Sequence, residues 1–199
     1  LLNGTKADAD IPGSDPAVKY RAAKILQTAN IDMSNHPCNN EVGIEDFVGI
    51  YNGAGYTISN LKVNYTENGN VAMFNSIKNA ILYNIHLVDV DMSASQGDGA
   101  GLAASVQTST ITLCSVTGTV NGATETGGLS ASTSGSSITR SRSNCVSKNG
   151  IAQPFLHTMM AGALIACENM NIGKMIYSYL GGTVGHCRNA NTWYLDSPN

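Results

Sequence analysis

The chain has 199 residues, enough for one large domain with its own core, and carries a net charge of −3 with only 13% charged residues. Its 11 Lys and Arg are scattered singly, so the basic footprint that nucleic acid requires is absent. Apolar residues at 42% exclude a disordered chain, and 21 glycines beside runs of Ser, Thr and Asn point to many short strands with frequent tight corners.

Residues 1–24 read as an N-terminal segment or cap. In "DPAVKYRAAKIL", Asp15 suits a helix N-cap, Pro16 suits the first helical position, and Val18, Ala22, Ile25 and Leu26 fall on one helical face. A strand from Ile25 onward competes with this helix, and both fit if the helix ends near Lys24. Residues 25–199 read as one β-repeat domain. Within it "YTISNLKVN" and "TITLCSVTGTV" place β-branched residues between Gly, Asn and Ser clusters and read as strands.

Two segments nearly repeat one another: "AGLAASVQTSTITLCSVTG" at 100–118 and "GGLSASTSGSSITRSRSN" at 127–144. Leu102 and Leu129 lie 27 residues apart, as do Ile111 and Ile138. Looser copies place Met73 and Phe74 before Ile81 and Leu164 before Ile172, with "YNGAGYTISNLKV" upstream and "GGTVGHCRNANTWYLD" at the end. This makes five or six units. A unit with two or three short strands cannot bury its apolar face alone, so successive units must stack. The expected fold is an all-β solenoid in which Leu102, Ile111, Leu129 and Ile138 form inward ladders, Ser, Thr, Asn and Lys point outward, and Gly and Asn take the corners. Unpaired strands at the rod ends invite self-association.

These residues resemble the GLUG-motif repeats of bacterial surface and secreted proteins. The likeness rests on Gly101-Leu102 and Gly128-Leu129, each followed by an Ile-containing strand, and on "FVGIYNGAGYTISNLKV" with Phe47, Gly49, Gly53, Gly55, Ile58 and Leu61; "ILQTANIDMS" is similar to the strand preceding that turn. The final motif glycine is replaced by Ala104 and Ala131. The resemblance implies a right-handed parallel β-helix, an adhesin-like role and a secreted or cell-surface location, with no shared catalytic residues.

Chemistry is sparse on this scaffold. Asp89 and Asp91 in "LVDVDMS" read as alternating on one strand face, with Asp98 in the following Gly-rich loop; they are candidates for a cation or ligand, or form a solvated face. Arg140 and Arg142 in "TRSRSN" share a face suited to an acidic glycan or a partner carboxylate, or simply to solvent. His36, His86, His157 and His186 lie in no Ser-His-Asp order or zinc motif, so no catalytic residue is assigned. The five cysteines form no CxxC pair, and no metal site or cofactor is expected. The apolar run "MMAGALIAC" is too short to span a bilayer, and no secretory signal is legible at Leu1. The leading expectation is a non-catalytic surface module binding a glycan or protein. A structural subunit of an extracellular fibre, joined through rod ends, comes second, and a carbohydrate-active β-helix enzyme third.

Overall fold

The computed structural model describes residues 21–39, 43–190 and 192–196. It is an all-β solenoid of about five turns, built from parallel strands with no helix among the described elements. Most of the helix expected over residues 15–24 lies outside the described residues. Lys24–Leu26 is a strand, as the competing reading required.

The register shows how the repeats stack. Ile111 lies beside Ile138, and the same column continues upward through Leu82, Tyr51 and Ile25 and downward through Leu164 and Val184. Leu102 donates its N–H to the Leu129 carbonyl at 3.1 Å, and Leu129 donates to Phe155 at 2.9 Å. Phe74 donates to Leu102 at 2.9 Å, so Phe74, Leu102, Leu129 and Phe155 form a second inward column, all four fully buried. Burying one such side chain contributes about 1.5–3 kcal/mol, and each rung gains it only when the next covers it. The expected ladder positions are all inside.

The looser copies are off in register. Ile81 pairs with Thr110 and is 42% exposed, and its neighbour Leu82 takes the inward place. Leu164 itself occupies the rung that Ile172 was expected to fill, while Ile172 sits in a loop at 88% exposure. Two adjacent apolar residues leave a strand's phase undetermined in sequence, and packing selects the one that faces in. The terminal copy also departs from the pattern. After the strand Ile176–Asn189 the chain reverses, and Thr192–Asp196 pairs with it antiparallel over Gly185–Asn189.

The motif glycines are explained by close approach. A Cβ on Gly101 would stand 2.3 Å from Val116 Cγ1, and one on Gly128 would stand 2.0 Å from Ser143 Oγ. Ala104 and Ala131, which replace the last motif glycine, join Ala72 and Ala100 in a fully buried small-residue cluster, a place that accepts one methyl group and little more.

Candidate functional site

One corner of the solenoid repeats with unusual regularity. Asn84, Leu113, Arg140, Ala166 and His186 occupy this corner in successive turns, with φ of 55°, 56°, 48°, 54° and 53°. This left-handed conformation costs a non-glycine residue about 1–2 kcal/mol. The turn therefore occurs because the stacked strands on both sides demand it. The chain re-enters the sheet one residue later with an inward side chain, and the next residue points out.

Those outward residues form a row: His86 beside Ser115, Ser115 beside Arg142, Arg142 beside Glu168, Glu168 beside Arg188. His86, Ser115, Arg142 and Glu168, together with the corner residues, border a groove of about 700 Å³ that runs across the turns. Glu168 bridges two cations, Arg142 Nε at 3.0 Å and Arg188 Nη2. Arg140 also lines the groove, and its exposed guanidinium meets no acidic partner among the described residues. The groove thus carries an excess of cations on a chain of net charge −3.

At the other end of the row, His86 Nδ1 lies 2.8 Å from Ser115 Oγ and Nε2 lies 3.1 Å from Asn84 Oδ1. With Asn84 Oδ1 as acceptor, Nε2 carries the proton and Nδ1 accepts from the Ser115 hydroxyl. Burial lowers the His86 pKa, which favours that neutral ring. The arrangement resembles a serine–histidine pair, but an acyl-transfer site also needs free donors for the developing oxyanion. Here the Ser115 N–H is committed to Ile85 O at 2.9 Å and the Arg142 N–H to Cys114 O at 2.8 Å. The sheet has consumed the local backbone donors.

The acidic candidates do not converge. Asp89 has φ of 54° and sits at another corner, where its N–H donates to Thr117 Oγ1 at 3.1 Å. The corner breaks the strand's alternation, so Val88 and Asp89 both lie outside the inward set while Leu87 and Val90 are buried. Asp89 and Asp91 therefore do not alternate on one flat face. Asp91 is engaged across the turn by Lys62, Nζ to Oδ2 at 3.0 Å. Asp98 clips a loop, accepting from the Glu125 N–H at 3.1 Å and from Thr124 Oγ1. No group of three metal-ligating side chains occurs among the described residues.

A second hollow of about 430 Å³ lies near Glu125, His157, Lys174 and Tyr177. His157 stacks on the Tyr177 ring at 4.7 Å, and Lys174 Nζ also lies 4.7 Å from that ring's centroid. Sequence reasoning missed this cluster, because the register that pairs Leu156 with Ile176 and Thr158 with Ser178 brings His157 and Tyr177 together across two turns of unequal length.

Four of the cysteines, Cys114, Cys145, Cys167 and Cys187, are buried. Burial pushes the Cys114 thiol up to about 12 and the Cys145 thiol up to about 11, which leaves both as inert packing groups. No helix of the described residues is long and apolar enough to cross a membrane. Comparison with known protein families, curated proteins and solved structures finds no match.

Proposed function

We propose that the chain is a non-catalytic surface module, adhesin-like in role and secreted or displayed at the cell surface, which binds an acidic glycan along the corner groove. The observation that carries this reading is the Arg140 guanidinium, which has no acidic partner among the described residues and stands beside a carboxylate already shared by Arg142 and Arg188. Arginine presents a planar fork of donors that matches a carboxylate, and a uronate polymer repeats that carboxylate along its length. A groove crossing stacked turns suits an extended ligand. The sheet-bound N–H groups around Ser115 support binding over turnover. The likeness to GLUG-type repeats supports the surface role.

A glycan array tests this reading. Uronate- and sialate-bearing glycans should be retained at low salt and neutral glycans should not; equal retention of both classes would remove the basis for the proposal.

A second reading, the fibre subunit, is favoured by the last turn. Ile172, Tyr177, Tyr179 and Leu180 are 88%, 59%, 43% and 68% exposed, and among the described residues Thr192–Asp196 pairs with Gly185–Asn189 alone. An apolar, partly unpaired edge suits end-to-end addition of another copy. Light scattering across a concentration series distinguishes a fibre subunit, which grows, from a monomeric module.

A further inference from the structure

We infer that Cys167 and Cys187 are a dithiol site that a small disulfide oxidant converts to a reversible staple between the last two turns. The placement follows from the corner column. The inward residue after each left-handed corner is Ile85, Cys114, Ser141, Cys167 or Cys187, and hydrogen bonds order them as successive rungs. Ser115 N–H donates to Ile85 O, Arg142 N–H to Cys114 O, Glu168 N–H to Ser141 O and Arg188 N–H to Cys167 O.

Adjacent rungs stand about 4.8 Å apart. That lies inside the range of about 4.4–6.8 Å over which two Cα atoms accept a disulfide. Cys114 is separated from Cys167 by Ser141, so its distance is about 9.6 Å, two strand spacings and too long to bridge. Cys145 lies beside Gly118, and Cys38 beside Val63, outside this column. One pair is therefore placed to react.

The two thiols also share an orientation. Cys167 Sγ lies 3.4 Å from Ile165 O and Cys187 Sγ lies 3.3 Å from Gly185 O, in each case the carbonyl two residues before. Each also approaches a carbonyl of the preceding turn, Cys167 Sγ at 3.5 Å from Ile138 O and Cys187 Sγ at 3.4 Å from Leu164 O, and Cys167 is 1% exposed and Cys187 fully buried. A hydrogen bond from Cys167 is the main cause that lowers the Cys187 thiol to about 7, against burial, while burial raises Cys167. Cys187 therefore ionises first and is the attacking sulfur.

The chemistry balances as thiol–disulfide exchange. The Cys187 thiolate attacks one sulfur of the oxidant; the oxidant's S–S bond breaks and one thiolate leaves, taking a proton from solvent. Cys167 then loses its proton and attacks the Cys187 sulfur, and the second oxidant thiol departs. Two protein thiols are oxidised to one disulfide, and one small disulfide is reduced to two thiols. The oxidant reaches Cys187 when the strand Ile176–Asn189 parts locally from the antiparallel segment Thr192–Asp196, which sets Tyr194 beside Cys187. The inference is independent of the glycan reading.

The test is incubation of the folded full chain with oxidised glutathione, at 25 °C and a few degrees below its melting point, followed by acid quench, alkylation in denaturant and peptide mass mapping. Alkylatable thiols should fall from five to three, with a peptide pair joining Cys167 to Cys187. The melting point should rise by about 7–13 °C, the effect of closing a loop of this size in a chain of this length, and dithiothreitol should reverse it. Cys187→Ser should retain all four of its thiols, whereas Cys114→Ser should still form the linkage. Five intact thiols at both temperatures, a persistent mixed glutathione adduct, or a linkage between other cysteines would overturn the inference.

Discussion

Truncating Leu129 to Ala tests the inward ladder at a rung whose backbone is bonded to the turns on both sides. Its N–H donates to Phe155 at 2.9 Å, and its carbonyl accepts from the Leu102 and Ala103 N–H groups at 3.1 and 3.2 Å. With turns pinned above and below, the site cannot collapse far into the space that the side chain leaves. The cost of a buried Leu→Ala change spans about 2–5 kcal/mol, and poor collapse places this one in the upper half, about 3–5 kcal/mol. Since about 1 kcal/mol moves the melting point of a chain this long by roughly 2–4 °C, the variant should melt about 6–20 °C below wild type. Leu129→Asp should be worse, because an unpaired buried carboxylate adds several kcal/mol of desolvation, enough to consume a typical domain's stability. The assay is thermal and urea unfolding followed by circular dichroism. A Leu129→Ala protein that melts within about 1 °C of wild type would refute the ladder energetics.

Further expectations concern the surface, the corner and pH. Arg142→Ser removes a side chain that is 67% exposed, so its ion pair with Glu168 is worth at most about 1 kcal/mol and the melt should barely move, while retention on acidic glycans should weaken. Asp91→Asn, which breaks only the surface contact with Lys62, should likewise leave the urea midpoint nearly unchanged and should not alter glycan retention. Gly128→Ala should destabilise clearly in the same melt, because its Cβ would lie 2.0 Å from Ser143 Oγ; pairing it with Ser143→Ala should recover part of the loss. His86 has its pKa lowered by burial, so its contribution to stability is complete above the unfolded value near 6.5 and is lost as pH falls from there toward the folded value. A pH series of melts should show that decline, and His86→Gln should flatten it.

The sequence and the structure agree where two copies are nearly identical. Leu102, Ile111, Leu129 and Ile138 could be placed because the same step occurs twice between the same residue types. Where the copies degrade, phase was lost: Ile81 and Leu82 are both apolar, and only the stacking against Ile111 decides which one turns in. The corner column was not legible, because Leu113, Arg140 and Ala166 are ordinary choices nowhere near the left-handed region in isolation. The groove was half legible. Arg140 and Arg142 stand close in sequence, but Glu168, Arg188, Ser115 and His86 join them only through register across turns of unequal length. Asp89 misled for the same reason, since a period of two was carried through a corner that interrupts it.

The groove reading is tested most directly by calorimetric titration of a defined oligouronate into the wild-type chain and into Arg140→Ala, at two salt concentrations. Arg140 is exposed and held by no acidic partner among the described residues, so its removal should leave the fold intact and any change should report on binding alone. The account predicts saturable binding to wild type that weakens as salt rises, and at least a tenfold weaker or undetectable binding to Arg140→Ala, roughly the loss expected for one charge-assisted contact. Equal binding by both proteins, or no binding by wild type at low salt, would contradict it.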